Sequence, residues 1–88
     1  MFKLWLRTFK DTRMLDAVTI EDASEDTRTH KVLNSLEKGC RKMNLSIPIW
    51  LDLNIRDFKK FSRTRFTGDS FMEEVDFDYL EIRIIEED

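Results

Sequence analysis

The sequence predicts a two-layer α+β fold, a four-stranded sheet crossed by one main helix, and three observations carry that expectation. Both ends of the chain alternate apolar and polar residues with a period of two. One central stretch repeats apolar residues at three- and four-residue spacing, the mark of an amphipathic helix. The 88 residues, 41% of them apolar with seven Phe and two Trp, suffice for one core and not for two, so a single domain over residues 1–88 is expected.

Phe2, Leu4 and Leu6 alternate with Lys3, Trp5 and Arg7, which predicts a strand over residues 2–9. Trp5 and Phe9 add apolar groups to its second face, as on an inner strand. Lys10 to Arg13 is turn-compatible, and Met14 to Ile20 resumes with β-branched Val18, Thr19 and Ile20, so a β-hairpin follows. The acidic stretch Glu21 to Asp26 ends it. Asp26 is the expected N-cap of a helix over about residues 27–43, whose buried stripe is Thr29, Val32, Leu33, Leu36, Cys40 and Met43. Glu37 and Arg41 form an i,i+4 pair on the outer face, Gly39 weakens the helix by about 1 kcal/mol, and Asn44 suits the C-terminal cap.

Ile47 to Leu51 is short, apolar and opens near Pro48, which predicts a brief third strand. Asn54 is expected to cap a short helix holding Ile55, Phe58 and Phe61. Residues 62–76 show no clear period and leave two readings open, a helical segment capped by Ser70 with Glu73 and an irregular loop that packs Phe66 and Phe71. From Phe77 to Glu86 alternation returns, with Leu80, Ile82 and Ile84 on one face and Tyr79, Glu81 and Arg83 on the other. The final strand is therefore expected inside the sheet, facing Leu33, Leu36 and Cys40.

This order, ββα-β-(short α)-β, resembles that of the ubiquitin-like β-grasp fold. The resemblance implies a mixed sheet in which the first and last strands are parallel neighbours at the centre. The chain ends Glu86-Glu87-Asp88 without a diglycine, so conjugation to targets is not implied. The segments Asp26-Thr27-Arg28-Thr29-His30-Lys31, Pro48-Ile49-Trp50-Leu51-Asp52 and Asp76-Phe77-Asp78-Tyr79-Leu80-Glu81 also look like those of a small bacterial family, a resemblance that implies no function.

The residue inventory argues against chemistry performed by this chain alone. Cys40 is the sole cysteine, so no intramolecular disulfide and no paired-cysteine zinc site are expected, and a helical Cys reads as a small core residue. His30, the sole histidine, falls in a first helical turn with no orienting partner placed by the sequence. Glu73, Glu74, Asp76, Asp78, Glu86, Glu87 and Asp88 offer oxygen ligands, but their spacing matches no calcium loop. Gly39 and Gly68 are isolated, which excludes a glycine-rich phosphate loop. No cofactor and no metal are expected. The N-terminal apolar run is too short for a signal peptide, and no stretch is long enough for a membrane span, so a cytoplasmic protein without membrane contact is the expectation.

Charge is unevenly spread. Residues 1–66 hold 14 of the 15 Lys and Arg against nine acids, whereas residues 67–88 hold Arg83 against nine. Within the basic part, Arg56, Lys59, Lys60, Arg63 and Arg65 alternate with Phe58, Phe61 and Phe66. These five cations are the candidate binding residues, since basic groups interleaved with aromatics grip phosphates or acidic surfaces. The competing reading is that the phenylalanines anchor the segment while its cations face water or pair with the acidic end. The expected function is a non-catalytic protein-interaction or adaptor module with another protein as partner. The alternative is a nucleic-acid-associated accessory protein using residues 56–65.

Overall fold

A computed structural model describes residues 1–87. The alternation at the N-terminus gives β1 (Phe2–Lys10), which buries Phe2, Leu4, Leu6 and Thr8 on one face. A two-residue turn at Asp11 and Thr12, both with positive φ, reverses the chain into β2 (Arg13–Asp22). Positive φ at both central residues suits the right-handed twist of a hairpin, although Thr is an uncommon occupant. The side chain of Asp78 braces the turn by accepting from the Asp11 amide at 2.9 Å. A bulge at Leu15 shifts the register between Thr8 and Phe9.

Helix α1 (Arg28–Lys42) begins one residue later than expected. Thr27, not Asp26, caps it: the Thr27 hydroxyl accepts from the His30 amide at 3.2 Å, while Asp26 accepts from the Thr27 amide and bonds the His30 ring. Its buried residues are Lys31, Val32, Ser35, Leu36, Gly39 and Cys40. Leu33, expected in that stripe, is 45% exposed, because Val32, Leu36 and Cys40 centre the helix on the sheet and turn Leu33 aside. Asn44, at φ 59°, ends the helix, and the Leu45 amide returns to the Cys40 carbonyl.

Ile47 to Leu51 does not form the expected strand; it pairs with no other strand and crosses as extended chain to the second helix. Pro48 cannot donate to a ladder, and Trp50 packs instead edge-on against Phe58 and Phe66 with ring centroids at 5.5 and 5.0 Å. Helix α2 (Asp52–Phe61) starts after Leu51. Asn54 lies inside its first turn, where the side chain accepts from the Leu51 amide and donates to the Thr64 hydroxyl and the Arg65 carbonyl. That buried amide thus fastens α2 to β3 (Arg63–Thr67), a strand within the segment that shows no period in the sequence. A single 3₁₀ turn over Gly68–Ser70 follows, and the chain closes with β4 (Tyr79–Glu86).

The four strands form one sheet in the order β2-β1-β4-β3, and every neighbouring pair is antiparallel. The first and last strands are central neighbours as expected, but they run antiparallel, so the sheet is not mixed and the parallel pair implied by the β-grasp order is absent. The two-layer α+β architecture holds. Leu80 and Ile82 of β4 are fully buried with Leu4, Leu6, Leu36, Cys40 and Phe66 in one core between sheet and helices. Among the described residues no helix is long and apolar enough to cross a membrane.

Candidate functional site

Both helices contribute their buried residues to the same core, so they lie on one face of the sheet and leave the other open. Alternation places Lys3, Trp5, Arg7 and Phe9 of β1 on that open face. The register then sets the cross-strand rows: Thr19, Trp5, Arg83 and Arg63 in one; Ala17, Arg7, Glu81 and Arg65 in the next; Met14, Phe9, Tyr79 and Thr67 in the third.

The side chains of these rows touch. The Arg7 guanidinium lies 3.6 Å from the Trp5 ring centroid and 5.0 Å from that of Phe9. Phe9 stacks on Tyr79 at 5.2 Å, and Arg65 stands 4.6 Å from the Tyr79 ring. Glu81 sits between the two arginines, accepting from Arg7 at 2.5 Å and lying 3.5 Å from Arg65. The result is a ladder of alternating rings and guanidinium groups over a carboxylate that is only 11% exposed. A carboxylate so covered is tolerable because two arginines compensate it, and each cation–π contact contributes about 0.5–1 kcal/mol. Trp5, Arg7, Phe9 and Tyr79 are partly buried and keep part of their surface open to solvent.

The remaining charges of the face divide unequally. Glu86 pairs with the N-terminal ammonium at 3.1 Å and with Lys3 at 3.6 Å. The hydrogen bond from that ammonium, aided by Lys3, holds the Glu86 carboxyl below the usual carboxylate range. Arg63 and Arg83, directly opposite one another, have no carboxylate partner among the described residues.

The five residues singled out from the sequence do not form one patch. Arg63 and Arg65 join the open face, whereas Arg56, Lys59 and Lys60 are exposed on α2 in the helical layer. Lys60 approaches Arg63 through Phe61, whose ring both flank at 5.4 and 5.7 Å. Lys59 stands instead at an apolar groove between the helices, lined by Val32, Leu33, Trp50, Ile55 and Phe58. The acidic end does fold back, but mostly elsewhere: among the described residues only Glu81 forms an ion pair with the basic segment, at Arg65, while Glu87 pairs with Arg28. Asp88 lies outside the described residues.

Sequence reasoning missed Trp5, Arg7, Phe9, Tyr79 and Arg83 as a group. Their alternation was legible strand by strand, but their assembly depends on β1 and β4 being neighbours in a particular register.

The remaining reactive side chains stand apart from this face. Cys40 is fully buried, and burial pushes its thiol up to about 11. His30 is exposed on α1 and its ring contacts Asp26 at 2.9 Å. That contact, with the Thr27 amide, lowers the Asp26 carboxyl below its ordinary value. Among the described residues no three His, Cys, Asp or Glu side chains gather as a metal site. No protein family, curated protein or solved structure matches this chain.

Proposed function

We propose that this protein is a non-catalytic protein-interaction module, an adaptor that recognises its partner with the open face of its sheet. The observation that carries the reading is the solvent-facing ladder of Trp5, Arg7, Phe9, Tyr79 and Arg65. Trp, Tyr and Arg are the residues over-represented among the side chains that dominate binding energy, and rings already fixed by their neighbours lose little freedom on association. The cations of the face, Lys3, Arg7, Arg63, Arg65 and Arg83, outnumber Glu21, Glu81 and Glu86, so the partner surface is acidic.

Nucleic acid is the poorer occupant for two reasons. Single-strand binders offer free ring faces to bases, whereas Arg7 covers Trp5, Arg65 lies over Tyr79, and Phe9 and Tyr79 stack on each other. Arg56 and Lys59 also stand in the helical layer, away from Arg63 and Arg65, so these cations form no continuous track for a phosphate backbone.

Affinity capture from the native cell after nuclease treatment tests the reading, using wild-type protein, Trp5→Ala, Arg83→Glu and the helical-layer control Lys38→Glu. A partner retained by wild type and Lys38→Glu but lost from the two face variants is expected. Loss of the partner on nuclease treatment, or equal retention by all four proteins, would refute it.

A further inference from the structure

We infer that Arg63 and Arg83 together form a binding site for a phosphate monoester, carried on a phosphorylated side chain of the partner protein. The inference rests on the open face being the recognition surface and names the group recognised there.

The register is the first support. Arg63 of β3 is directly opposite Arg83 of β4, which in an antiparallel pair brings the Cβ atoms within about 4.5–5.5 Å. Like charges so placed oppose folding, and among the described residues no carboxylate forms an ion pair with either. Every other cation of the face has a carboxylate: Lys3 has Glu86, while Arg7 and Arg65 share Glu81. Glu81 is therefore already engaged. The Arg63 guanidinium lies 5.7 Å from the Phe61 ring centroid. The Arg83 side chain has no hydrogen bond or ion pair among the described residues. It is also the sole basic residue of positions 67–88, a segment with nine acids, yet it stands opposite another arginine without a carboxylate partner among the described residues.

The second support is the chemistry of the pair. Two guanidinium forks side by side present planar donors suited to the oxygens of one tetrahedral anion. A carboxylate would neutralise one of them, whereas a phosphate monoester carries about −1.5 to −2 at neutral pH and balances both. Lys60, at 5.4 Å from the same Phe61 ring, adds a third cation near the rim. Trp5 lies next to Arg83 in the same row and supplies an apolar wall. One compact pair matches a single phosphorylated side chain; a nucleic-acid backbone would call for cations repeated along a track.

The test is a titration of the 88-residue chain with inorganic phosphate, followed by arginine Nε–H and backbone NMR signals at constant ionic strength against a chloride control. Saturable shifts confined to Arg63, Arg83 and their row neighbours are expected. Arg63→Gln and Arg83→Gln should each weaken the site at least tenfold, with Arg41→Gln unchanged. Both face variants should stay folded, because each removes a repulsion. In a second arm, a phosphoserine peptide flanked by acidic residues should bind at least tenfold tighter than its serine form, and tighter than a 5′-phosphorylated oligonucleotide. Absence of saturable shifts at the two arginines would overturn the site. Preference for the oligonucleotide would overturn the assigned source. Partner loss from Trp5→Ala with no phosphate response would leave the adaptor reading standing without this site, and the converse would leave the site without the adaptor.

Discussion

Replacing Gly39 by Ala sets two effects of known sign against each other. In a helix interior Ala is favoured over Gly by about 0.8–1.0 kcal/mol, so on propensity alone α1 gains. A Cβ at position 39, however, would lie 2.5 and 2.7 Å from the two δ-methyls of Leu6 and 3.1 Å from its Cγ. Leu6 is completely buried within the core, so its methyls can move away only by displacing other packed groups. Forcing a methyl into a filled core costs about 1–3 kcal/mol, which outweighs the helical gain and leaves a net loss of about 1 kcal/mol. For a domain of this size that corresponds to a Tm lower by roughly 4–8 °C. The Leu6→Val background removes both δ-methyls, and there the same Gly39→Ala change should stabilise by up to about 1 kcal/mol. Urea unfolding followed by far-UV circular dichroism, with an unchanged m-value, measures all four proteins. Equal effects of Gly39→Ala in both backgrounds would refute the close helix–sheet approach.

Ile82→Ala removes a fully buried side chain from central strand β4 and should cost roughly 2–5 kcal/mol in the same unfolding assay; a loss below about 1 kcal/mol would mean β4 is not core. Asn54→Ala leaves the Leu51 amide, the Thr64 hydroxyl and the Arg65 carbonyl without this partner; a loss of about 1–3 kcal/mol, with faster amide exchange along β3, is expected. Because folding raises the Cys40 thiol from its usual 9.0 to about 11, its stabilising contribution is fully present below pH 9 and is lost as pH rises through 11. That loss is on the order of 2–3 kcal/mol, and unfolding curves of wild type and Cys40→Ala that fall in parallel over this interval would contradict it.

Legibility in the sequence followed how local each signal is. Phe2, Leu4 and Leu6, like Leu80, Ile82 and Ile84, announce strands because burial on one sheet face imposes a period of two on neighbouring residues. The helix α1 is visible for the same reason at its own period. The strand β3 is hidden because only Thr64 and Phe66 of its five residues turn inward, and the charges between them read as part of a basic run. Conversely Ile47 to Leu51 has strand composition, yet Pro48 and the packing of Trp50 on Phe58 and Phe66 hold it outside the sheet. With the third strand misplaced, the β-grasp order and its parallel pair follow in error. The candidate site was half legible: Arg63 and Arg65 belong to the open face, but Arg56, Lys59 and Lys60 point from another element. Which cations meet which rings is decided by register between strands some 70 residues apart, as with Arg7 and Glu81, and no local pattern encodes that.

The central claim is that recognition occurs on the open face of the sheet. A scan with the photocrosslinker benzoylphenylalanine measures this most directly, one residue at a time, at Ala17, Thr19 and Thr67 on that face and at Lys38, Lys42 and Arg56 in the helical layer. Crosslinks to one discrete protein are expected from the three sheet positions, abolished when Trp5→Ala is added, and none from the helical positions. Crosslinks arising chiefly from Lys38, Lys42 or Arg56, or unaffected by Trp5→Ala, would contradict it.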